Sequence, residues 1–393
     1  MISPVNPPYE DLLIRKERTL NLMREAQIEA AIISSNVNLY YLTGQIVNGY
    51  LYLDQSGQMI AFARRPFHNE RLTQFPIRKL ENIPDLLREH AIALPASLGL
   101  EKDTMPYSEA SRFLAAFPTS PAANLSTLMR TARMVKTPWE INQMRISAQT
   151  HVEVYRQIPS LYRPGMRDID LQIAIEKTMR EHGSIGLFRA YGNNTEVHMG
   201  SVLVGTNAGE PTPYDFALGG TGTHPALPLG ASGESIEEGK TVMVDMAGNY
   251  TAYISDISRV YTLGRLPELA LRAHQLSIDL HDHFRQSARE GTPCASLYNH
   301  SLEAVEEAQL SDYFMGYDFQ AKFVGHGAGI EINEPPVLMG RSKDLLQAGM
   351  TIAFEPKFVI PGVGAVGVEN TYLIHADHAE NLTEMEENII EIS

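Results

Sequence analysis

Residues 242–259 read VMVDMAGNYTAYISDISR, and this pattern predicts two strands that pair as a hairpin. Asp245 ends the first apolar run, and Asp256 lies in the second strand, beyond a turn that we place at Gly248-Asn249. A carboxylate is costly to bury alone, so two of them on paired strands require positive charge between them. One divalent cation, or a pair of them, would supply that charge.

Three later segments place further ligand-type side chains at strand ends or beside glycines. His326 lies between two glycines, Glu355 ends the apolar run 352–354 before a proline, and Glu369 lies within an apolar strand. Taken singly, each of these residues is more often a turn residue or an ion-pair partner. Taken together, four carboxylates and one imidazole suit two divalent ions of the Mn, Co, Zn or Fe type. Two such ions, about 3.5–4 Å apart, can hold a bridging hydroxide and polarise a carbonyl group.

The composition narrows the class of protein. A chain of 393 residues with 44% hydrophobic residues can form two ordinary domains. Its net charge of −15 and its lack of a basic run with interleaved aromatic residues disfavour nucleic acid as a partner. Cys294 is the single cysteine, which fits a reducing compartment. We find neither a secretory signal nor an apolar stretch of membrane-spanning length, and we expect a cytoplasmic protein.

The chain divides into two parts that differ in the pattern of their predicted helices, strands and loops. Its first part alternates helix and strand patterns, which favours an α/β domain with a mixed sheet. Thr137, Pro138 and Glu140 then form a capping-box signature at the start of a long helix. We therefore predict an N-terminal domain over 1–132 and a second domain over 133–393. Within the second domain, residues 189–230 are rich in Gly, Pro, Asn and Thr and predict strands joined by long loops.

The order of these segments resembles that of the creatinase, prolidase and aminopeptidase P family of metallopeptidases, family M24. The resemblance rests on an Asp, ten residues and a second Asp, followed by Gly-His-Gly, Glu-Pro and Glu-Asn-Thr. Residues 36–44 are similar to the Asn-x-x-Tyr-Leu-Thr-Gly segment of that family, and residues 133–140 to its entry into the second domain. The resemblance implies an α+β fold, with a pita-bread domain after an α/β creatinase-type domain with a mixed sheet.

The resemblance also implies roles for the five residues and an assembly. Asp256 and Glu369 would bridge two divalent metal ions, Asp245 would bind one ion, and His326 with Glu355 would bind the other. Manganese is the metal we expect first, with cobalt, zinc and iron as alternatives. Glu355 would be the general base, and activity would fall at acid pH because a metal-binding His326 must be neutral. The family also implies a homodimer.

Two positions depart from the family pattern. Many of its peptidases carry a histidine seven residues after the ligand histidine and another before the first aspartate strand. Here these positions hold Asn333 and Leu229. His198 and His224 lie in the loop-rich stretch, and we name both as candidates for the missing contacts to substrate, with a structural role as the alternative.

We therefore expect a metal-dependent hydrolase that cleaves short peptides, either an Xaa-Pro dipeptidase or an Xaa-Pro aminopeptidase. The first alternative is a non-peptidase enzyme on the same fold, such as a creatinase-like hydrolase or a small-molecule lyase. The missing histidines keep that alternative open, whereas the complete ligand set argues against it. The second alternative is a binding module without catalysis, which would have lost metal ligands.

Overall fold

The computed structural model describes residues 6–117, 122–192, 198–214 and 216–393. The chain divides into two compact units, which separate between Arg133 and Met134. Among the described residues, no helix has both the length and the apolar character needed to cross a bilayer.

The first unit is built on a six-stranded mixed sheet, as expected from the alternating helix and strand patterns. Its strand order is β4-β3-β2-β1-β5-β6, and β1 pairs antiparallel with β2 and parallel with β5. The strands are β1 Ala30–Ile33, β2 Gly49–Asp54, β3 Met59–Ala63, β4 Thr73–Pro76, β5 Leu98–Leu100 and β6 Ala123–Asn124. The helices are α1 Tyr9–Glu25, α2 Asn36–Thr43, α3 Ile83–Glu89, α4 Tyr107–Ala116 and α5 Ser126–Met134.

The second unit contains three sheets flanked by helices. Their strand orders are β17-β9-β8-β7, β11-β10-β12-β15-β16 and β13-β14. The helices are α6 Pro138–Tyr155, α7 Ile158–Leu161, α8 Asp168–Glu181, α9 Glu268–Ser287 and α10 Cys294–Glu307. The strands are β7 Gly200–Val204, β8 Thr241–Asn249, β9 Ile254–Thr262, β10 Gly325–Gly327, β11 Glu334–Val337, β12 Thr351–Phe354, β13 Lys357–Ile360, β14 Gly364–Gly367, β15 Asn370–Ile374, β16 Ala379–Asn381 and β17 Ile390–Glu391.

Helix α6 begins as the sequence predicts. The Thr137 hydroxyl accepts a hydrogen bond from the Glu140 amide at 3.2 Å, and the Glu140 carboxylate accepts one from the Thr137 amide at 2.9 Å. At the other end of the helix, the buried Tyr155 hydroxyl donates to the Ile257 carbonyl at 2.6 Å and accepts from the Met246 amide at 3.0 Å. Helix α6 is therefore fixed against both strands of the β8–β9 hairpin, between the two aspartates.

Two local expectations need correction. Strand β8 continues through Asn249, so the hairpin turn spans 250–253 and not Gly248-Asn249. Among the described residues of 189–230, β7 is the single strand longer than an isolated bridge, where several strands were expected. A glycine-rich sequence cannot distinguish an extended loop from a strand, because pairing partners decide between them.

The second unit also contains a partly exposed ion pair that should respond to acid. Arg145 in α6 forms a two-pronged salt bridge with Glu380 in β16, and this contact lowers the pKa of Glu380 to about 2. A carboxylate with a lowered pKa stabilises the folded state above its ordinary pKa and loses that contribution as the pH falls.

We therefore expect Glu380→Gln to remove part of the acid sensitivity of folding. Urea unfolding between pH 5 and pH 2 should show the wild type losing more unfolding free energy than the variant over this interval. The control is Glu384→Gln at a nearby exposed glutamate. Equal losses in the wild type and Glu380→Gln would contradict the prediction.

Candidate metal centre

The β8–β9 hairpin presents two aspartates on one face. The ladder pairs Asp245 with Ser258 and Ala247 with Asp256. Alternate residues of a strand share a face, so Asp245 lies on the same face as Ala247 and its partner Asp256. The two carboxylates lie on paired strands, as expected, and are diagonal neighbours there.

His326 comes from β10, where glycines on both sides permit close strand packing. A Cβ atom at Gly327 would lie 2.3 Å from the Pro335 carbonyl oxygen, and one at Gly325 would lie 2.4 Å from the Ala353 carbonyl oxygen. Neither glycine could therefore be replaced without moving a neighbouring strand. The imidazole Nε2 lies 3.4 Å from Glu355 Oε1 and 4.0 Å from Asp256 Oδ2.

Glu355 follows β12 and Glu369 precedes β15, just beyond the last pair of their ladder, Phe354 with Asn370. Glu369 forms an isolated antiparallel bridge with Ser258 of the hairpin. The Thr371 hydroxyl connects this sheet to the hairpin, because it accepts from the Asp256 amide at 2.8 Å and donates to the Asp256 carbonyl at 3.0 Å. Two sheets thus meet with their acidic residues side by side.

The five predicted residues therefore converge, and three of them have the spacing of a metal site. Ligand atoms of Asp256, His326 and Glu369 all lie within 4.8 Å of one another. Oxygen and nitrogen ligands lie about 2.0–2.2 Å from a transition metal such as zinc, so ligand atoms on opposite sides of one ion are about 4 Å apart. These three side chains need only small adjustments to hold one ion.

Lys357 is the residue that the sequence analysis missed. Its ammonium Nζ lies 2.9 Å from Asp245 Oδ2, 2.8 Å from Glu355 Oε2 and 2.7 Å from Glu369 Oε2. The side chain is only 1% exposed. Burial alone would lower the pKa of Lys357, but these three carboxylates raise it well above its usual value. The lysine is therefore a fixed positive charge inside the acidic cluster.

One ammonium does not balance four carboxylates. Burial raises the pKa of Asp256 well above its ordinary range, and Glu369 and Asp245 add to this effect. Burial also raises the pKa of Glu369, which Lys357 only partly opposes. The pKa of Glu355 is lowered instead, because Lys357 and His326 together outweigh its burial. The cluster is thus built for further positive charge beside Asp256 and Glu369, and its oxygen and imidazole donors fit a divalent metal ion.

Arg259 holds the backbone that carries Glu369. This fully buried guanidinium donates to the carbonyls of Ser258 and Glu369, each at 2.8 Å, and to the Asn370 side-chain oxygen at 2.8 Å. It also donates to the Glu386 carbonyl at 2.8 Å. The arginine therefore joins strand β9 to the two segments that follow β14 and β16.

The two candidate histidines have different environments. His198 is partly buried between Phe188 and Phe216, and its Nδ1 lies 3.0 Å from the Gly200 amide. Its Nε2 is buried and has no hydrogen-bond partner among the described residues. Burial lowers the pKa of His198, and the hydrogen bond to the Gly200 backbone and the Asp245 carboxylate partly oppose this effect. His224 is exposed on a turn, where its Nδ1 accepts from the Ala226 amide at 3.0 Å.

Asn333 and Leu229, the two residues that depart from the family pattern, both have structural contacts or are buried. The Asn333 side chain donates to the Tyr191 carbonyl at 2.8 Å and accepts from the Tyr191 amide at 2.6 Å. Leu229 is buried. Asn333 therefore fixes the loop around Tyr191 with both ends of its amide.

Comparison with known proteins places this site in a family. A mixed-sheet unit followed by a unit whose sheets converge on carboxylates and a histidine defines a creatinase-type protein with a pita-bread domain. The sequence model of metallopeptidase family M24 matches residues 142–376, and the model of the creatinase/prolidase N-terminal domain matches residues 15–135. The chain belongs to metallopeptidase family M24.

Individual relatives extend over nearly the whole chain. The Xaa-Pro dipeptidase of Pyrococcus furiosus is 24% identical over 383 residues, which cover 96% of this chain and 99% of the relative. The solved Xaa-Pro dipeptidase from Bacillus anthracis has a TM-score of 0.80 at 22% identity, covering 97% of this chain and 100% of that one. The X-Pro aminopeptidase from Thermotoga maritima has a TM-score of 0.76 at 18% identity, covering 95% and 100%.

The role of Arg259 generates a prediction about stability. Arg259→Met should lower the free energy of unfolding by about 3 kcal/mol or more, because each buried acceptor left without a donor costs about 1–3 kcal/mol. Chemical denaturation measures this loss. Arg265→Met, at an exposed arginine six residues away, is the control. A similar loss in both variants would show that Arg259 does not hold these segments together.

Proposed function

We propose that the chain is a metal-dependent peptidase that cleaves short peptides at an Xaa-Pro bond. The observation that carries this proposal is the convergence of Asp245, Asp256, His326, Glu355 and Glu369 in one cluster, with three of them at metal-ligand spacing. Support for the substrate comes from the relatives named Xaa-Pro dipeptidase and X-Pro aminopeptidase.

The residues of this chain suggest a division of labour. Asp256, His326 and Glu369 would hold a metal ion, which when bound polarises a peptide carbonyl and lowers the pKa of water. Glu355 is anionic at neutral pH, because Lys357 and His326 lower its pKa. It can therefore accept a proton from the attacking water and pass it to the leaving amine.

His198 is the candidate for contact with the substrate carbonyl. His198 Nδ1 lies 3.0 Å from both the amide and the carbonyl of Gly200, and in the tautomer in which it accepts from the amide the neutral ring carries its proton on Nε2, the atom without a described partner. A buried donor of this kind can bind an oxygen that gains negative charge in the transition state. The position of His224 on an exposed turn makes it the weaker of the two candidates.

One observation favours a second function on the same fold. Asn333 uses its amide on Tyr191, and Leu229 offers no polar group, so neither replaces the histidines that many family peptidases use. A non-peptide substrate, such as a small guanidino or sulfonium compound, would need no such groups. Assays on these compounds beside Xaa-Pro dipeptides and longer Xaa-Pro peptides distinguish the two functions.

The remaining attributes follow from chemistry and family. Oxygen-rich ligands with one imidazole suit manganese first, and cobalt, zinc or iron as alternatives. A buried lone cysteine, Cys294, is compatible with the reducing cytoplasm, which we propose as the compartment. We also propose a homodimer, and a sedimentation mass equal to one chain would refute it.

Removing metal ligands tests the peptidase proposal. Asp256→Asn and Glu369→Gln should lower Xaa-Pro hydrolysis by more than about 100-fold, the loss that even outer partners of metal ligands can cause. The assay uses protein loaded with manganese, and circular dichroism checks folding. Asp312→Asn, at an exposed aspartate, is the control. Wild-type rates in a folded Asp256→Asn or Glu369→Gln variant would refute the assignment.

His198→Gln tests the substrate contact. If Nε2 stabilises the transition state, kcat should fall by about 100-fold or more while bound metal is unchanged, as for the loss of an oxyanion donor. His224→Gln serves as the comparison on an exposed turn. A variant of His198 that loses thermal stability but keeps kcat would identify a structural histidine.

A further inference from the structure

Lys357 contacts the oxygens that a second metal ion would need. Its Nζ lies 2.7–2.9 Å from one oxygen each of Asp245, Glu355 and Glu369. A metal bound by the same oxygens would lie about 2.0–2.2 Å from each of them, which is the space that the ammonium fills. The lysine and an ion on the Asp245 side of the cluster therefore exclude each other.

The lysine is also held where it is. Lys357 begins β13 and pairs with Gly367, and its carbonyl accepts from the Met315 amide at 2.8 Å. The whole residue is 1% exposed. Moving a charged ammonium away from three carboxylates within a buried site would cost more free energy than any pair interaction at the surface. Displacement of the lysine by a second ion is accordingly unfavourable.

The side of the cluster next to Asp256 and His326 can still bind a metal ion. The Ser258 hydroxyl and Lys357 both donate to Glu369 Oε2, which leaves Oε1 of that carboxylate for another partner. Glu355 Oε1 faces His326 Nε2 at 3.4 Å, away from the lysine. Among the described residues, Lys357 forms salt bridges with Asp245, Glu355 and Glu369 but not with Asp256. Asp256 lies instead 4.0 Å from His326 Nε2.

We propose that Lys357 replaces one of the two divalent cations expected from the family, so that each chain binds a single ion between Asp256, His326 and Glu369. Asp245 is then a partner of the lysine and not a metal ligand. Together, the lysine and one divalent ion supply three positive charges to four carboxylates.

Metal counting tests the inference without any assay of activity. Metal-free wild-type protein is titrated with Mn²⁺ by calorimetry, and the bound metal is counted by elemental analysis after desalting. We expect one ion per chain. Two ions per chain, or none, would overturn the inference.

Replacing the lysine tests its role directly. Lys357→Met keeps the length of the side chain and removes its charge, and it should raise the count from one ion to two. Lys136→Met is the matched control, because Lys136 is another buried lysine that forms an ion pair, with Glu334 at 3.0 Å. The control should keep one ion. An unchanged count in folded Lys357→Met protein would overturn the proposal.

Asp245→Asn keeps the proposal testable if the lysine variant does not fold. A site with one ion predicts that Asp245→Asn retains one ion per chain, whereas His326→Gln loses it. Loss of the ion in Asp245→Asn would overturn the assignment of Asp245. If the counts follow the inference but no peptide is cleaved, the proposed function fails and the inference stands.

Discussion

The second unit depends on positive charge placed among four buried or half-buried carboxylates. Anionic groups so close together repel one another, and in a site of low polarity this repulsion would open the fold or force protonation. Lys357 offsets part of this repulsion, because its ammonium forms salt bridges with three of the carboxylates. The remaining negative charge is concentrated where His326 completes a set of metal ligands. Stability and metal binding therefore have the same electrostatic origin here.

The scaffold brings the charged groups together through contacts made largely by uncharged groups. Tyr155 fixes helix α6 to the hairpin. The Thr371 hydroxyl connects the hairpin to the second sheet by hydrogen bonds to the backbone amide and carbonyl of Asp256. Arg259 adds a buried guanidinium that binds the backbone carbonyls of Ser258 and Glu369. These hydrogen bonds fix the backbone on which the carboxylates are carried. The carboxylates therefore stay close together although they repel one another.

Much of this arrangement could be predicted from the sequence. Acidic residues at the ends of apolar strands, and a histidine between glycines, are local signals with a direct physical reason. The capping box at Thr137 and Glu140 is another, because its hydrogen bonds connect residues only three positions apart. Membership of family M24 and the two-part fold followed from the order of those signals, and the comparisons confirm both.

The features that escaped prediction depend on contacts distant in sequence. Lys357 follows Glu355 and Pro356, where a lysine is usually a solvated turn residue, and only strand pairing turns it inward. The engagement of Asn333 with Tyr191, 142 positions away, could not be read from spacing either. The position of the hairpin turn was missed because Gly248 and Asn249 are typical turn residues that here continue a strand.

A crystal structure of the manganese-loaded protein, with anomalous diffraction measured at the manganese edge, would show how many metal ions share the cluster with Lys357. We expect one anomalous peak, beside His326 Nε2 and between Asp256 and Glu369, with the Lys357 ammonium still within hydrogen-bond distance of Asp245. Two peaks bridged by Asp256 and Glu369, with Lys357 turned away from Asp245, would contradict this expectation.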